Sequence, residues 1–194
     1  MQVAGEAVDL EGGDLWVFGY GSLMWNPGFA HASSMAAMTY GYRRALCVRS
    51  YVHRGTEAAP GLVLGLDRGG SCRGMAFEVA ASDRASVIAY LRERELVTHV
   101  YKERLLPLVL ADGRRVSALG YVIDRAHVQY AGALKADEAA LIVAHARGRS
   151  GENVDYVMNT LEHLRAMKIR DHWLEEVGRG VKRLLARASH PAEA

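Results

Sequence analysis

Apolar residues recur along the chain in two rhythms, short β-type runs early and helical stripes late. From Leu15 the run LWVFGY is aromatic and β-branched, and GSLMWNPG follows at once with two glycines and a proline. A buried strand should therefore give way abruptly to a loop. Further strand-like runs lie at 45–52, 61–66, 73–79, 104–110 and 116–123. Turn signals separate them, among them Asp67-Arg68-Gly69-Gly70 and Asp112-Gly113, the latter a hairpin dipeptide between two apolar runs. One helix interrupts the strands: Ser82 or Asp83 is placed to cap it, and Val87, Ile88 and Leu91 form an apolar stripe at helical spacing. Three helical segments close the chain, near 137–147 with Gly148 as its stop, near 153–167 and near 171–187. In the last, Leu174, Val177, Val181, Leu184 and Leu185 share one side, opposite basic residues. Strands first and helices last predict an α+β fold with an antiparallel sheet or barrel rather than alternating βαβ units.

Composition narrows the class without supplying chemistry. The 194 residues are 50% hydrophobic and 24% charged, the balance of a soluble globular chain. The expected organisation is a loose N-terminal arm over 1–13 and a single domain over 14–190. Lys and Arg total 24 against 22 Asp and Glu, a net charge of +2, so no strong field draws the chain to nucleic acid or anionic lipid. No apolar run approaches the roughly 18 residues that span a bilayer. The opening MQVAGEAVDLEGG has acidic residues and no basic segment before an apolar block, unlike a secretory signal. Only Cys47 and Cys72 occur, too few for a disulfide scaffold and consistent with reduced thiols in a cytoplasm.

Several familiar chemistries fail on spacing. In Gly19-Tyr20-Gly21-Ser22-Leu23-Met24, both a dinucleotide fingerprint and a nucleophile elbow would need glycine where Met24 stands. No Walker phosphate loop occurs, and the eight histidines contain no His-Glu-x-x-His pair, so nothing points to a metal.

Two features carry information. Gly19 and Gly21 follow the first strand; they make either a tight turn with glycines at positive φ or a backbone cradle for a carboxylate or developing oxyanion, with Ser22 adding a hydroxyl. The second is Leu91-Arg92-Glu93-Arg94-Glu95. At about 100° per residue, Glu95 falls near 40° from Leu91 and Glu93 about 200° from it, so Glu95 points with the apolar side chains. A carboxylate there has a raised pKa and needs a partner or a purpose. The competing reading ends the helix earlier and leaves Glu95 in a solvated charge run.

Four blocks in order resemble the ChaC family of γ-glutamylcyclotransferases: Trp16-Val17-Phe18-Gly19-Tyr20-Gly21-Ser22-Leu23; Pro60 to Leu66 with Gly70-Ser71-Cys72-Arg73-Gly74; Tyr90-Leu91-Arg92-Glu93-Arg94-Glu95; and Gly151-Glu152-Asn153-Val154-Asp155-Tyr156. They span nearly the whole chain beyond the arm. The resemblance implies a γ-glutamylcyclotransferase-like fold, a small mixed β-barrel with surrounding helices. It also implies glutathione as the small-molecule substrate, cleaved to 5-oxoproline and cysteinylglycine with no cofactor. Carried onto this sequence, it makes Val17, Phe18, Gly19, Tyr20, Gly21 and Ser22 the binding loop for the γ-glutamyl group, Glu95 the catalytic acid/base and Tyr156 a substrate contact. Leu23 after Ser22 points to the ChaC branch. The glycine carboxylate of the substrate would call for an arginine, with Arg43, Arg44 and Arg73 as candidates. The departures are the arm and Arg149, where the family often has proline. A cyclotransferase for other γ-glutamyl amines or amino acids and a non-catalytic γ-glutamyl-binding module on the same fold are the alternatives.

Overall fold

The computed structural model describes residues 14–189; the arm assigned to 1–13 and the last five residues lie outside them. Strands β1 (Leu15–Gly19), β2 (Ser33–Ser50), β3 (Gly61–Val79), β4 (Tyr101–Leu110) and β5 (Arg115–Ile123) form a closed barrel in the order β1-β3-β2-β4-β5. It is a mixed barrel. β1 runs antiparallel to β3, with Val17 opposite Phe77, and parallel to β5, with Val17 opposite Leu119. The Asp112-Gly113 hairpin forms as expected, with Leu110 N–H on the Arg114 carbonyl at 2.8 Å and Gly113 N–H on the Leu110 carbonyl at 2.9 Å.

Two runs read as separate strands are one. β3 passes straight through Asp67-Arg68-Gly69-Gly70, where Gly69 and Gly70 sit at φ +99° and +76°. The glycine pair deforms the strand without reversing it, the usual meaning of glycine inside a strand. Asp67 is not a turn residue either: its side chain is buried. β2 begins at Ser33, twelve residues before the expected start at 45, because pairing with β4 through Ala37, Met38 and Thr39 extends it beyond its apolar half.

Contacts divide the chain into two compact units. The first comprises residues 14–43 and 68–122. Its core gathers Leu15, Val17, Leu23, Phe77, Val79, Leu119 and Tyr121 with Val87 and Leu91 of helix α1 (Arg84–Glu95). The second comprises 44–67 and 123–189. It holds α2 (Ala136–His145), α3 (Asn153–Ala166) and α4 (His172–Ser189), close to the expected segments. Leu174, Val177 and Val181 bury one face of α4 as the periodicity requires, whereas Leu185 is exposed. Gly148 does not stop α2. The helix ends at His145 with Ala146 as its extended C-cap, and Gly148 belongs to a two-residue strand, β6 (Arg147–Gly148), paired with β7 (Gly151–Glu152).

Candidate active site

β1 delivers the glycine loop to the end of the strand. Val17 and Phe18 are fully buried at the wall behind the loop, Val17 paired with Phe77 of β3 and Leu119 of β5 and Phe18 with Ala76 of β3. Neither Gly19 nor Gly21 has a positive φ, which removes the left-handed-turn reading. Gly19 sits in a close approach: a Cβ there would lie 3.1 Å from Leu23 Cβ and 3.2 Å from the Met24 nitrogen, tighter than ordinary contact. Facing it, a Cβ on Gly74 would collide with the Gly19 carbonyl. Beyond Tyr20, which is buried, Ser22–Met24 turns as a single 3-10 element, closed by Met24 N–H on the Gly21 carbonyl at 2.9 Å. The N–H groups of Ser22 and Leu23 precede that first bond and face out of the turn's N-terminal end.

α1 delivers the carboxylate. Asp83 stands at its N-cap without a side-chain capping bond; the Asp83 carbonyl instead accepts from the Ser86 hydroxyl at 2.8 Å and the Val87 N–H at 2.9 Å. The helix continues to Glu95, and Leu96 N–H closes it on the Arg92 carbonyl at 3.0 Å. Continuation to that point excludes the solvated charge run. The Glu95 side chain is only 19% exposed, while Glu93 is exposed. Burial pushes the Glu95 carboxyl above its ordinary value, and the Arg94 guanidinium, with Nε 3.3 Å from Oε1, pulls it partly back.

Arg94 binds the two pieces into one site. Its Nη2 donates to Ser22 Oγ at 3.1 Å. Its Nη1 donates to the Asn26 carbonyl at 2.9 Å, the Tyr90 hydroxyl at 3.0 Å and the Pro27 carbonyl at 3.2 Å. A glycine loop with a serine hydroxyl and a half-buried carboxylate thus share one guanidinium. Residues 15–184 match the ChaC-like protein family model.

The chain belongs to the ChaC-like family.

This ChaC-like chain is 34% identical over 174 residues to the glutathione-specific γ-glutamylcyclotransferase of Escherichia coli, covering 90% of this chain and 75% of that protein. It is 33% identical over 174 residues to the protein of the same name in Schizosaccharomyces pombe, 79% of this chain and 84% of the relative. To the glutathione-specific γ-glutamylcyclotransferase 1 of Homo sapiens it is 31% identical over 154 residues, 77% and 69% of the two chains. A crystal structure of a γ-glutamyl cyclotransferase specific to glutathione from yeast superposes with a TM-score of 0.77 at 22% identity, over 89% of this chain and 99% of that one, a likeness of fold.

Tyr156 lies in the second unit, where its hydroxyl accepts the Leu64 N–H at 3.1 Å and the Arg54 guanidinium lies 5.6 Å from its ring centroid. Three residues earlier, Asn153 accepts the Leu62 N–H at 2.6 Å and donates to the Leu62 carbonyl at 2.7 Å. The Asn-x-x-Tyr block therefore holds alternate residues of β3. Of the candidate arginines, Arg44 is buried against Asp171 at 3.0 Å, while Arg73 is exposed. Among the described residues, no three His, Cys, Asp or Glu side chains converge as a metal ion would need.

Sequence reasoning passed over Arg94 and a second carboxylate. Arg94 lies about 60° from Leu91 on the helical wheel, so the angular test that selected Glu95 also selects it. Glu103 of β4 is held by Arg92 at 2.7 and 2.9 Å and accepts from the Tyr121 hydroxyl of β5 at 3.3 Å. Burial pushes the Tyr121 phenol up, and the Glu103 and Glu95 carboxylates push it further. No local pattern reveals this cluster, because strand pairing brings its members together.

Proposed function

We propose that the chain is a glutathione-specific γ-glutamylcyclotransferase that releases 5-oxoproline and cysteinylglycine, with Glu95 as its catalytic acid/base. The observation that carries this reading is the Glu95 carboxyl, half-buried, raised above its ordinary value and tied through one guanidinium to the serine of the glycine loop. The names of the relatives supply the substrate.

The reaction needs no protein nucleophile. The substrate's α-ammonium gives one proton to the Glu95 carboxylate; the freed amine attacks the γ-carbonyl carbon, forming the lactam C–N bond and a tetrahedral oxyanion. Collapse breaks the bond to the cysteinyl nitrogen, which takes the proton held by Glu95. The carboxylate, ionised again, removes the second proton from the ring nitrogen and passes it to the departing amine, leaving 5-oxoproline with one N–H and cysteinylglycine as its ammonium form. A carboxyl of raised pKa suits both transfers, since it accepts readily and still donates near neutral pH. The outward N–H groups of Ser22 and Leu23 are the donors assigned to the oxyanion. Holding the flexible γ-glutamyl chain in its ring-closing conformer supplies much of the remaining acceleration. The place proposed for the enzyme is a reducing cytoplasm, in keeping with a chain whose two cysteines, Cys47 and Cys72, are both buried.

The test is time-resolved product analysis with purified protein and glutathione. Wild type and Glu93→Gln are expected to release 5-oxoproline at similar rates and Glu95→Gln to release it at least about 10²-fold more slowly. Turnover close to the wild-type rate in a folded Glu95→Gln protein would overturn the assignment.

A further inference from the structure

We propose that Arg94 is a positioning residue that holds the Ser22 loop and the Glu95 carboxylate in one frame, so that loop geometry and proton transfer are set by a single guanidinium. This rests on the cyclotransferase reading of the site. Four acceptors and one ion-pair partner meet this side chain: Ser22, the Asn26 and Pro27 carbonyls and Tyr90 on the same helix accept from it, and Glu95 lies against its Nε. Only a planar fork of five N–H groups spans such a set; an ammonium of three donors on a flexible stem does not. Because Nη2 donates to Ser22 Oγ, the serine's own hydrogen is turned away from Arg94 and is the one left for another acceptor. Because Nε stands 3.3 Å from Oε1, the same group favours the ionised carboxylate that must receive the substrate's proton.

Other groups share the neighbourhood of Glu95. The Tyr121 phenol of β5 lies close enough to interact with its charge, and Glu103 of β4 stands on that phenol with Arg92 of α1 as its counter-ion. The Glu103 charge is compensated by Arg92, which leaves Arg94 as the cation set directly against Glu95.

The experiment compares Arg94→Met, Arg94→Lys and wild type by two readouts. Carbon-13 NMR of labelled glutamate, with Glu95→Gln used to assign the signal, follows the Glu95 carboxyl directly and needs no turnover. Steady-state assays with glutathione give the pH profile of kcat/KM together with kcat and KM. Arg94→Met removes the cation, so the Glu95 titration and the acidic limb of the profile should both move up by about one pH unit. Arg94→Lys should return the titration most of the way while KM stays raised on the order of tenfold, because lysine cannot hold Ser22, Asn26 and Pro27 together. A titration that stays put in Arg94→Met while thermal stability falls would reduce Arg94 to a structural bracket and overturn the proposal. So would an Arg94→Lys protein with both titration and KM of wild type. Should Arg94→Met not fold, the KM of Arg94→Lys and its titration still decide. A wild-type protein that releases no 5-oxoproline sinks the functional reading instead, and the NMR titration judges Arg94 separately.

Discussion

Two buried acids, one in each unit, are treated in opposite ways. Asp67 has a fully buried side chain, yet Arg125 Nε reaches Oδ1 at 2.7 Å and the Tyr130 hydroxyl reaches Oδ2 at 3.1 Å. Glu95 is less buried and has a single cation at 3.3 Å, too weakly placed to offset desolvation, and its carboxyl is held above the ordinary range. Around Asp67 every charge is answered, and Asn153 nearby in sequence to Tyr156 answers backbone groups in the same fashion. Satisfied polar groups fix a structure, whereas an acid kept only partly satisfied retains free energy that proton transfer can use.

The largest expected effect lies at Glu95. Glu95→Gln should lower turnover by about 10²- to 10⁴-fold, the usual worth of a positioned acid/base, as read by 5-oxoproline release. Its stability should change in the other direction. Burial holds the carboxyl above its ordinary 4.5, so between that value and the folded-state value the native chain keeps a proton that the unfolded chain has released. Wild-type stability therefore falls as pH rises through that window and levels off above it. Urea titrations across the window should show the glutamine variant gaining on wild type as pH rises. A parallel pH dependence in the two proteins would contradict the contrast with Asp67.

Asn153→Leu comes next, and its effect belongs to stability. Both bonds to Leu62 vanish from a fully buried position, leaving a backbone donor and acceptor unmet at about 1–3 kcal/mol each. The urea midpoint should fall accordingly, while kcat of the remaining folded protein stays within about twofold, since no step of the mechanism uses Asn153.

What was legible in the sequence follows the range of the interaction. Helical periodicity is local, so the three closing helices follow from spacing, and so does the burial of Glu95 over Glu93 once α1 reaches Glu95, a helix end that spacing alone left open. The Asp-Gly hairpin was legible for the same reason. The continuity of β3 was not, because glycines that permit a turn also permit a bend, and the side chain of Asp67 finds its partners 58 and 63 residues away. Tyr156 was legible as a special residue, but its bond to Leu64 depends on a strand 92 residues earlier. Arg94 was within reach of the same angular argument as Glu95; its four acceptors and its place against Glu95 Oε1 were not.

Tyr156→Phe tests where the second unit's polar groups are committed. Loss of the hydroxyl removes one acceptor from the Leu64 N–H, and a fall in stability of about 1 kcal/mol is expected, measured by urea unfolding. The same variant discriminates the role expected from the family resemblance: a raised KM for glutathione at unchanged stability would mark Tyr156 as a substrate contact, whereas lower stability at unchanged KM marks it as a strand holder.

The smallest effect returns to the turn that follows Glu95. His99, exposed between α1 and β4, sits at φ +55°, a region that favours glycine, with its N–H on the Leu96 carbonyl at 3.1 Å. A residue with a Cβ loses about 1–2 kcal/mol there, and glycine gives back about 0.5–1 kcal/mol through its freer unfolded chain. His99→Gly should therefore gain several tenths of a kcal/mol, raising the thermal midpoint by about 1–3 °C for a chain of this size. Because Glu95 is already fixed inside the last turn of α1 by the Leu96 to Arg92 bond, kcat is expected to stay within about twofold. If kcat drops while stability rises, the conformation of this turn helps to set the carboxylate, and the partial satisfaction of Glu95 is maintained by the backbone beyond the helix as well as by Arg94.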